Sequence, residues 1–196
     1  MQAGSGKVGP SARDTLITTD RLVLVPPVRG DFAEWADLRE RSRQHLQPWE
    51  PVWPRDVHSK ADWSRRLRAW NEGWRKGRAY VFLIRRLNDN RLVGGVSFTN
   101  VRGWPAQACN LGYWIGAEHE GQGYMREAVA ALCAWAFETL DLWRIEAGTL
   151  PGNDRSQRVL TSVGFREEGY ARAYLEIAGQ RQDHVLFALV RPDLQR

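Results

Sequence analysis

Residues 111–136 read LGYWIGAEHEGQGYMREAVAALCAWA, and their order decides the fold. A short apolar run breaks into a turn holding Gly121 and Gly123. From Met125 the apolar residues recur at helical spacing, so that Met125, Val129, Leu132, Trp135 and Ala136 share one face. The first backbone N–H groups of a helix have no intrahelical partner and lie at the positive end of its dipole. Small residues just before them let an anion approach the main chain, so strand, glycines and helix make a cradle for a phosphate. Neither familiar phosphate loop fits. A P-loop requires Lys and then Ser or Thr after its last glycine, where this chain has Tyr124 and Met125. A dinucleotide fingerprint requires a third glycine where Arg126 stands, and uniformly alternating strands and helices around it.

Upstream, Leu16–Val25 reads as a strand ended by Pro26 and Pro27. Asp31 is placed to cap a helix running to about Arg43, with Phe32, Trp35, Ala36 and Leu38 as its apolar face. Pro48, Pro51 and Pro54 exclude regular structure from Gln44 to His58, a loop whose Trp49 and Trp53 either cover the core or face a ligand. Ser59 and Asp62 open the next helix, where Trp63, Leu67, Trp70 and Trp74 form a stripe better suited to the core than to a site. Gly77 closes it. Ala79–Arg86 and Arg91–Asn100 form a hairpin through Asn88, Asp89 and Asn90.

Downstream, a helix at about Tyr124–Thr139 is followed by a strand at Arg144–Thr149. Pro151 and Gly152 break the strand, and Asn153 caps a helix that Gly164 stops after Val163. Tyr170–Ile177 and Gln180–Val190 form a second hairpin through Ala178 and Gly179. This order predicts an α/β fold: one mixed sheet of about seven strands with helices on both faces.

Composition narrows the function. The 196 residues suit one domain, 15–196, behind a Gly-, Ser-, Pro- and Ala-rich leader, 1–14, expected to be disordered. No apolar run is long enough to span a bilayer, and the N-terminus lacks the apolar core of a signal peptide. Cys109 and Cys133 are too few for a disulfide framework, which points to the reducing cytoplasm. The four histidines lack metal-ligand spacing, so no metal is expected. The formal charge is +5, and every cation but Lys7, Lys60 and Lys76 is arginine. That excess suits an anionic cofactor or an RNA-rich partner, and equally a solvated basic surface. No sequence-specific nucleic-acid motif is present.

Seven collinear stretches carry a resemblance: LQPWEP at 46–51, NVRG at 100–103, LGYWIG at 111–116, EGQGYMREA at 120–128, NDRS at 153–156, VGFREEGYAR at 163–172 and GQRQDHVLFAL at 179–189. From about Leu16 to Leu194 the chain resembles the GCN5-related N-acetyltransferase (GNAT) superfamily. Within it, the chain resembles the ribosomal-protein alanine N-acetyltransferases of the RimJ/RimL type, nearer RimJ. The resemblance implies a sheet whose central strands splay around acetyl-CoA, and transfer of its acetyl group to the N-terminal amine of an alanine-starting ribosomal protein, with the ribosome a possible partner. It assigns the pantetheine arm to the main chain of Tyr113, Trp114 and Ile115, and the pyrophosphate to Gly121, Gln122, Gly123, Tyr124, Met125 and Arg126. Glu120 and Met125 depart from the family pattern, and Glu120 is expected to face solvent or pair with Arg126.

The implied chemistry is direct attack of an amine on a thioester. An α-amine has a pKa of about 8, so roughly one in ten is already neutral at pH 7 and a base need supply only a modest push. A main-chain N–H of the strand Leu111–Ile115 can meet the oxyanion. Ser156, matching the family's serine, is the candidate acid for the departing thiolate, with Asn153 ordering it. A serine in a first helical turn is otherwise commonplace. For the base, Glu176 and Asp183 are the candidates, with His184 beside them; Leu175 stands at the position where RimL-type enzymes have a carboxylate. Trp49, Glu50 and Tyr174 are expected at the acceptor. Two rival readings are an acetyltransferase of a small amine, which an acidic closed pocket would favour, and a non-catalytic binding module.

Overall fold

The computed structural model describes residues 10–12 and 14–191. Residues 1–9 and 13 of the expected leader, and 192–196, lie outside the described residues. The elements are β1 (Ile17–Thr18), β2 (Leu22–Val25), α1 (Phe32–Arg41), α2 (Arg43–Leu46), α3 (Lys60–Arg75), β3 (Tyr80–Arg86), β4 (Leu92–Arg102), β5 (Ala108–Ile115), α4 (Tyr124–Thr139), β6 (Arg144–Thr149), α5 (Asp154–Val163), β7 (Arg166–Ile177) and β8 (Gln180–Val190). The sheet runs β1-β2-β3-β4-β5-β6-β8-β7, antiparallel except between β5 and β6.

Eight strands are described where about seven were expected, because Leu16–Val25 is a hairpin. The Thr19 hydroxyl accepts from the Leu22 N–H at 3.0 Å, which folds Ile17 back opposite Leu24. Two further expectations shift. Asp31 caps no helical N–H: its carboxylate accepts from the Val28 N–H at 2.7 Å and from Arg85 at 2.8 Å. Arg85 is buried in the sheet and needs both Asp31 and Glu34 as counter-charges. The proline-rich segment is also more regular than its composition suggests. It begins within α2 and continues as a 3₁₀ turn, Gln47–Trp49, with Pro48 in the first turn, where a missing N–H costs nothing.

Strand alternation builds two cores. Phe82 and Ile84 of β3 pack with Val129, Leu132 and Ala136 of α4 on one face. Leu83, between them, packs with Trp35 and Leu38 of α1 and Trp63 of α3 on the other. Helices therefore cover both faces. The tryptophan stripe is structural: Trp63 and Trp74 are buried, one in each cluster. Leu132, fully buried under the sheet, is expected to cost about 3 kcal/mol when replaced by alanine, roughly 9 °C in Tm for a chain of this size. Thermal unfolding of the variant checks this.

One feature of the sheet positions everything that follows. The parallel pairing of β5 with β6 covers Ala108–Asn110 against Arg144–Glu146 and stops there. Beyond it β5 stays on β4 as far as Ile115, while β6 stays on β8 as far as Thr149. The two strands diverge, leaving a wedge whose β5 edge has no strand partner.

Candidate active site

A groove of about 1350 Å³ passes through this wedge. Tyr113, Trp114 and Ile115 line it from β5, and Gly148 and Thr149 line it from β6. At one end lies the turn before α4, where Gly121 and Gly123 both take left-handed backbone conformations (φ +74° and +79°). Gly123 is the N-cap, so the first N–H groups of α4 open toward the groove. Arg21 braces this turn. It donates to the Gln122 carbonyl at 3.0 Å and to Glu127 at 2.7 Å, and its guanidinium lies 4.8 Å from the centre of the Tyr124 ring. Tyr124, Met125 and Arg126 line the groove, as does Arg158 of α5. The Met125 side chain is buried in the core, which leaves its main chain for a ligand. Gln122 is not in the groove wall; its side chain turns back to donate to the Glu118 carbonyl.

Glu120, expected to face solvent or pair with Arg126, is half-buried and pairs with a different arginine. Both its oxygens accept from Arg155 of α5, at 2.7 and 2.8 Å. Glu120 and Arg155 both line the groove, so their ion pair joins the glycine turn to α5.

In the wedge, the Tyr113 and Ser156 hydroxyls share a hydrogen bond of 2.7 Å. The Asn153 side chain accepts from the Ser156 N–H at 3.1 Å, capping α5 and fixing Ser156 in its first turn. Burial pushes the Tyr113 hydroxyl up to about 12, so it stays protonated and can resupply a proton to Ser156. Thr149, at the end of β6, has a buried hydroxyl with no hydrogen-bond partner among the described residues. These features fit a thioester cofactor: a positive helix end for phosphates, an unpaired strand edge for an amide-bearing arm, and a hydroxyl relay deeper in the wedge.

The groove where the acceptor is expected is lined by Trp49, Glu50, Tyr174, Leu175 and His184. The Glu50 carboxylate is engaged, accepting from Arg39 at 2.5 Å and from the Trp53 indole at 2.7 Å. Its carbonyl accepts from the Ala178 N–H at 3.0 Å, tying this loop to the β7–β8 turn. Two expected bases fall elsewhere. Glu176 is exposed and lies outside the groove wall, with Leu175 and Ile177 lining it instead. Asp183 is outside it too, its oxygens accepting from the Ala173 N–H at 2.7 Å and the Tyr170 hydroxyl at 2.8 Å. Those two bonds hold its carboxyl below the usual range, and they pin a kink in β7 where Ala173 has φ +48°. His184 does line the groove.

Residues 21–166 match the acetyltransferase (GNAT) domain. The chain belongs to the GNAT acetyltransferase family. Over 177 residues it is 39% identical to the [ribosomal protein uS5]-alanine N-acetyltransferase of Escherichia coli (strain K12), covering 90% of this chain and 91% of that one. Mycobacterium smegmatis RimJ in complex with CoA-disulfide superposes with a TM-score of 0.85 at 33% identity, over 89% of this chain and 84% of that one. The ribosomal-protein-S5-alanine acetyltransferase from Vibrio fischeri also gives 0.85, at 31% identity, over 93% of this chain and all of that one. The expected GNAT fold, with its splayed central strands, is therefore the fold observed. Among the described residues no helix is long and apolar enough to cross a membrane, and no group of three His, Cys, Asp or Glu could hold a metal ion. Sequence reasoning missed Arg21 and Arg155, the two arginines that pair with groups of the glycine turn. Arg21 belongs to no motif, and Arg155 sits inside NDRS without any sign there of its partner; each reaches that partner only through the tertiary fold.

Proposed function

We propose that this acetyltransferase moves the acetyl group of acetyl-CoA to the N-terminal α-amine of an alanine-starting ribosomal protein in the cytoplasm. The observation that carries this reading is the groove itself, which joins an anion-binding helix end to an acceptor face through the wedge between β5 and β6. The E. coli relative, aligned over nearly its whole length, is named for alanine acetylation of uS5. The acceptor face is not an acidic trap of the kind a small polyamine would select. Glu50 is paired with Arg39, Glu146 with Arg102 and Arg144, and Glu168 with Arg144. A peptide end, with one charge and a polar backbone, suits that balanced surface.

Acetyl-CoA supplies the activated acetyl thioester. The α4 N-terminus and Arg126 hold its phosphates, and the free edge of β5 orders its arm. Ser156, backed by Tyr113, delivers a proton to the departing sulfur. Incubation with acetyl-CoA and an alanine-first peptide, followed by mass spectrometry, tests the reading against a panel of small amines. Turnover of an amine with none of the peptide would overturn it. Ribosome association is tested by salt-sensitive co-sedimentation.

The Glu120–Arg155 pair bears on the cofactor. A carboxylate beside a diphosphate is repulsive, and here it also occupies a guanidinium within reach of the phosphates. Glu120→Gln is expected to lower the KM for acetyl-CoA about threefold, the scale of one exposed ion pair. Steady-state kinetics at fixed peptide concentration measure this, and a raised KM would show the pair to be a needed brace.

A further inference from the structure

The structure leaves one chemical role in the wedge unfilled, the group that takes the proton from the attacking amine. We infer that His184 is that base, acting through Nε2. This rests on the amine-acetylation reading above and assigns one residue within it.

The tautomer follows from a hydrogen bond. His184 Nδ1 lies 3.1 Å from the Gln182 carbonyl oxygen, which can only accept. Nδ1 therefore carries the proton, and in the neutral ring the lone pair sits on Nε2. Nε2 has no protein partner among the described residues. The ring is held rather than loose: it is 3% exposed, and the Tyr174 ring packs against it at 5.5 Å in a tilted, edge-on arrangement. Its Cδ2, the carbon bonded to Nε2, faces Gly148 of β6, 3.5 Å from where a Cβ would sit there. That side of the ring thus lies against the β6 wall of the wedge, and His184 lines the groove. Ser156 enters from α5 and Tyr113 from β5, so the acid relay and the base come from different walls of the groove.

The charged groups nearby do not compete for the role. Glu146, on the same face of β6 as Gly148, is held by Arg102 and Arg144. Glu50 across the mouth is held by Arg39. Asp183, next along β8, is bonded to Tyr170 and the Ala173 N–H, and Arg172 and Arg181 flank it on β7 and β8. Arg181 donates to the Tyr174 carbonyl.

The step balances simply. The amine nitrogen bonds to the acetyl carbon and gives one proton to Nε2. The carbon–sulfur bond breaks, and its electron pair leaves on sulfur, which takes the Ser156 proton. The imidazolium then returns its proton to water, and water restores the Tyr113 hydroxyl whose proton moved to Ser156, so no net proton is released and the enzyme ends as it began.

The test compares wild type with His184→Gln and His184→Asn, using an alanine-first peptide and a small primary amine across a pH series. Asparagine can still donate to the Gln182 carbonyl, which separates loss of the base from loss of that bond. Both variants are expected to lower kcat about thirtyfold, the low end for a general base because part of the amine is already neutral. The acid limb of the log kcat/KM profile should become less steep, falling from a slope of about 2, for a base and an amine that must both be deprotonated, to a slope of about 1 for the amine alone. Added imidazole should restore part of the rate, and calorimetric binding of acetyl-CoA should be unchanged. Glu176→Gln should keep the wild-type profile. An acid limb of unchanged steepness in His184→Gln, a wild-type rate in His184→Asn, or an equal loss of acetyl-CoA binding would each overturn the assignment. Failure of wild type on the peptide alone would overturn the peptide reading, while the His184 comparison stands on the amine that is turned over.

Discussion

Ser156→Ala is expected to lower kcat about a hundredfold and to leave the KM for acetyl-CoA within about twofold, as for loss of a general acid that acts only in the transition state. The geometry behind this is a short relay. Asn153 fixes the Ser156 backbone, and the Tyr113 hydroxyl lies 2.7 Å from the serine oxygen. With the tyrosine proton on the serine oxygen, the serine hydrogen is free to follow the sulfur. A thiol has an ordinary pKa of about 8.5, so a departing thiolate gains from protonation at neutral pH and the reverse attack on the new amide is suppressed. Tyr113→Phe removes only the resupply, and a smaller fall of about fivefold is expected, the scale of one lost neutral hydrogen bond. Saturating kinetics with the peptide at fixed pH compare the three proteins. A Ser156→Ala enzyme within threefold of wild type would end the acid assignment.

The sequence is most legible where it is punctuated. The bounds of α4, β6, α5 and β8 coincide with those expected, because glycine or proline stands at the boundaries: Gly123 before α4, Pro151 and Gly152 after β6, Gly164 after α5, Gly179 before β8. The β1–β2 hairpin was hidden because its turn, Thr19-Asp20-Arg21, contains neither glycine nor proline and its flanks are β-branched or apolar. The acceptor site was less legible for a different reason. Simple alternation along β7 is interrupted at Ala173, where the register jumps between Ala171 and Leu175. The kink puts Tyr174 and Leu175, adjacent in sequence, both on the groove wall and turns Glu176 away. Asp183, which looked like a base, is the residue that holds the kink. The Glu120–Arg155 pair lay beyond any sequence pattern, since 35 residues separate its members.

Gly123→Val is expected to raise the KM for acetyl-CoA more than about thirtyfold, the largest effect anticipated at the cofactor end. Gly123 sits at φ +79° as the N-cap of α4, and a β-branched residue held there carries strain of about 1–3 kcal/mol. A new Cβ would also lie 3.4 Å from Arg21 Nη2, in the brace that keeps the Gln122 carbonyl and Glu127 in place. The cheapest relief is a rotation of the turn, which moves the first N–H groups of α4 away from the groove. About 2 kcal/mol of lost binding corresponds to roughly thirtyfold in affinity. Arg126 and Arg155 remain as cations near the site, yet they cannot replace donors fixed in one direction by the backbone. Gly103→Ala supplies the contrast: nothing lies within 4 Å of its Cβ position, and its kinetics should match wild type. Calorimetric titration with acetyl-CoA reads the loss directly. The result that would count against the cradle is unchanged affinity in Gly123→Val, because the other helix start on the groove, that of α5, already has its Ser156 N–H taken by the Asn153 side chain.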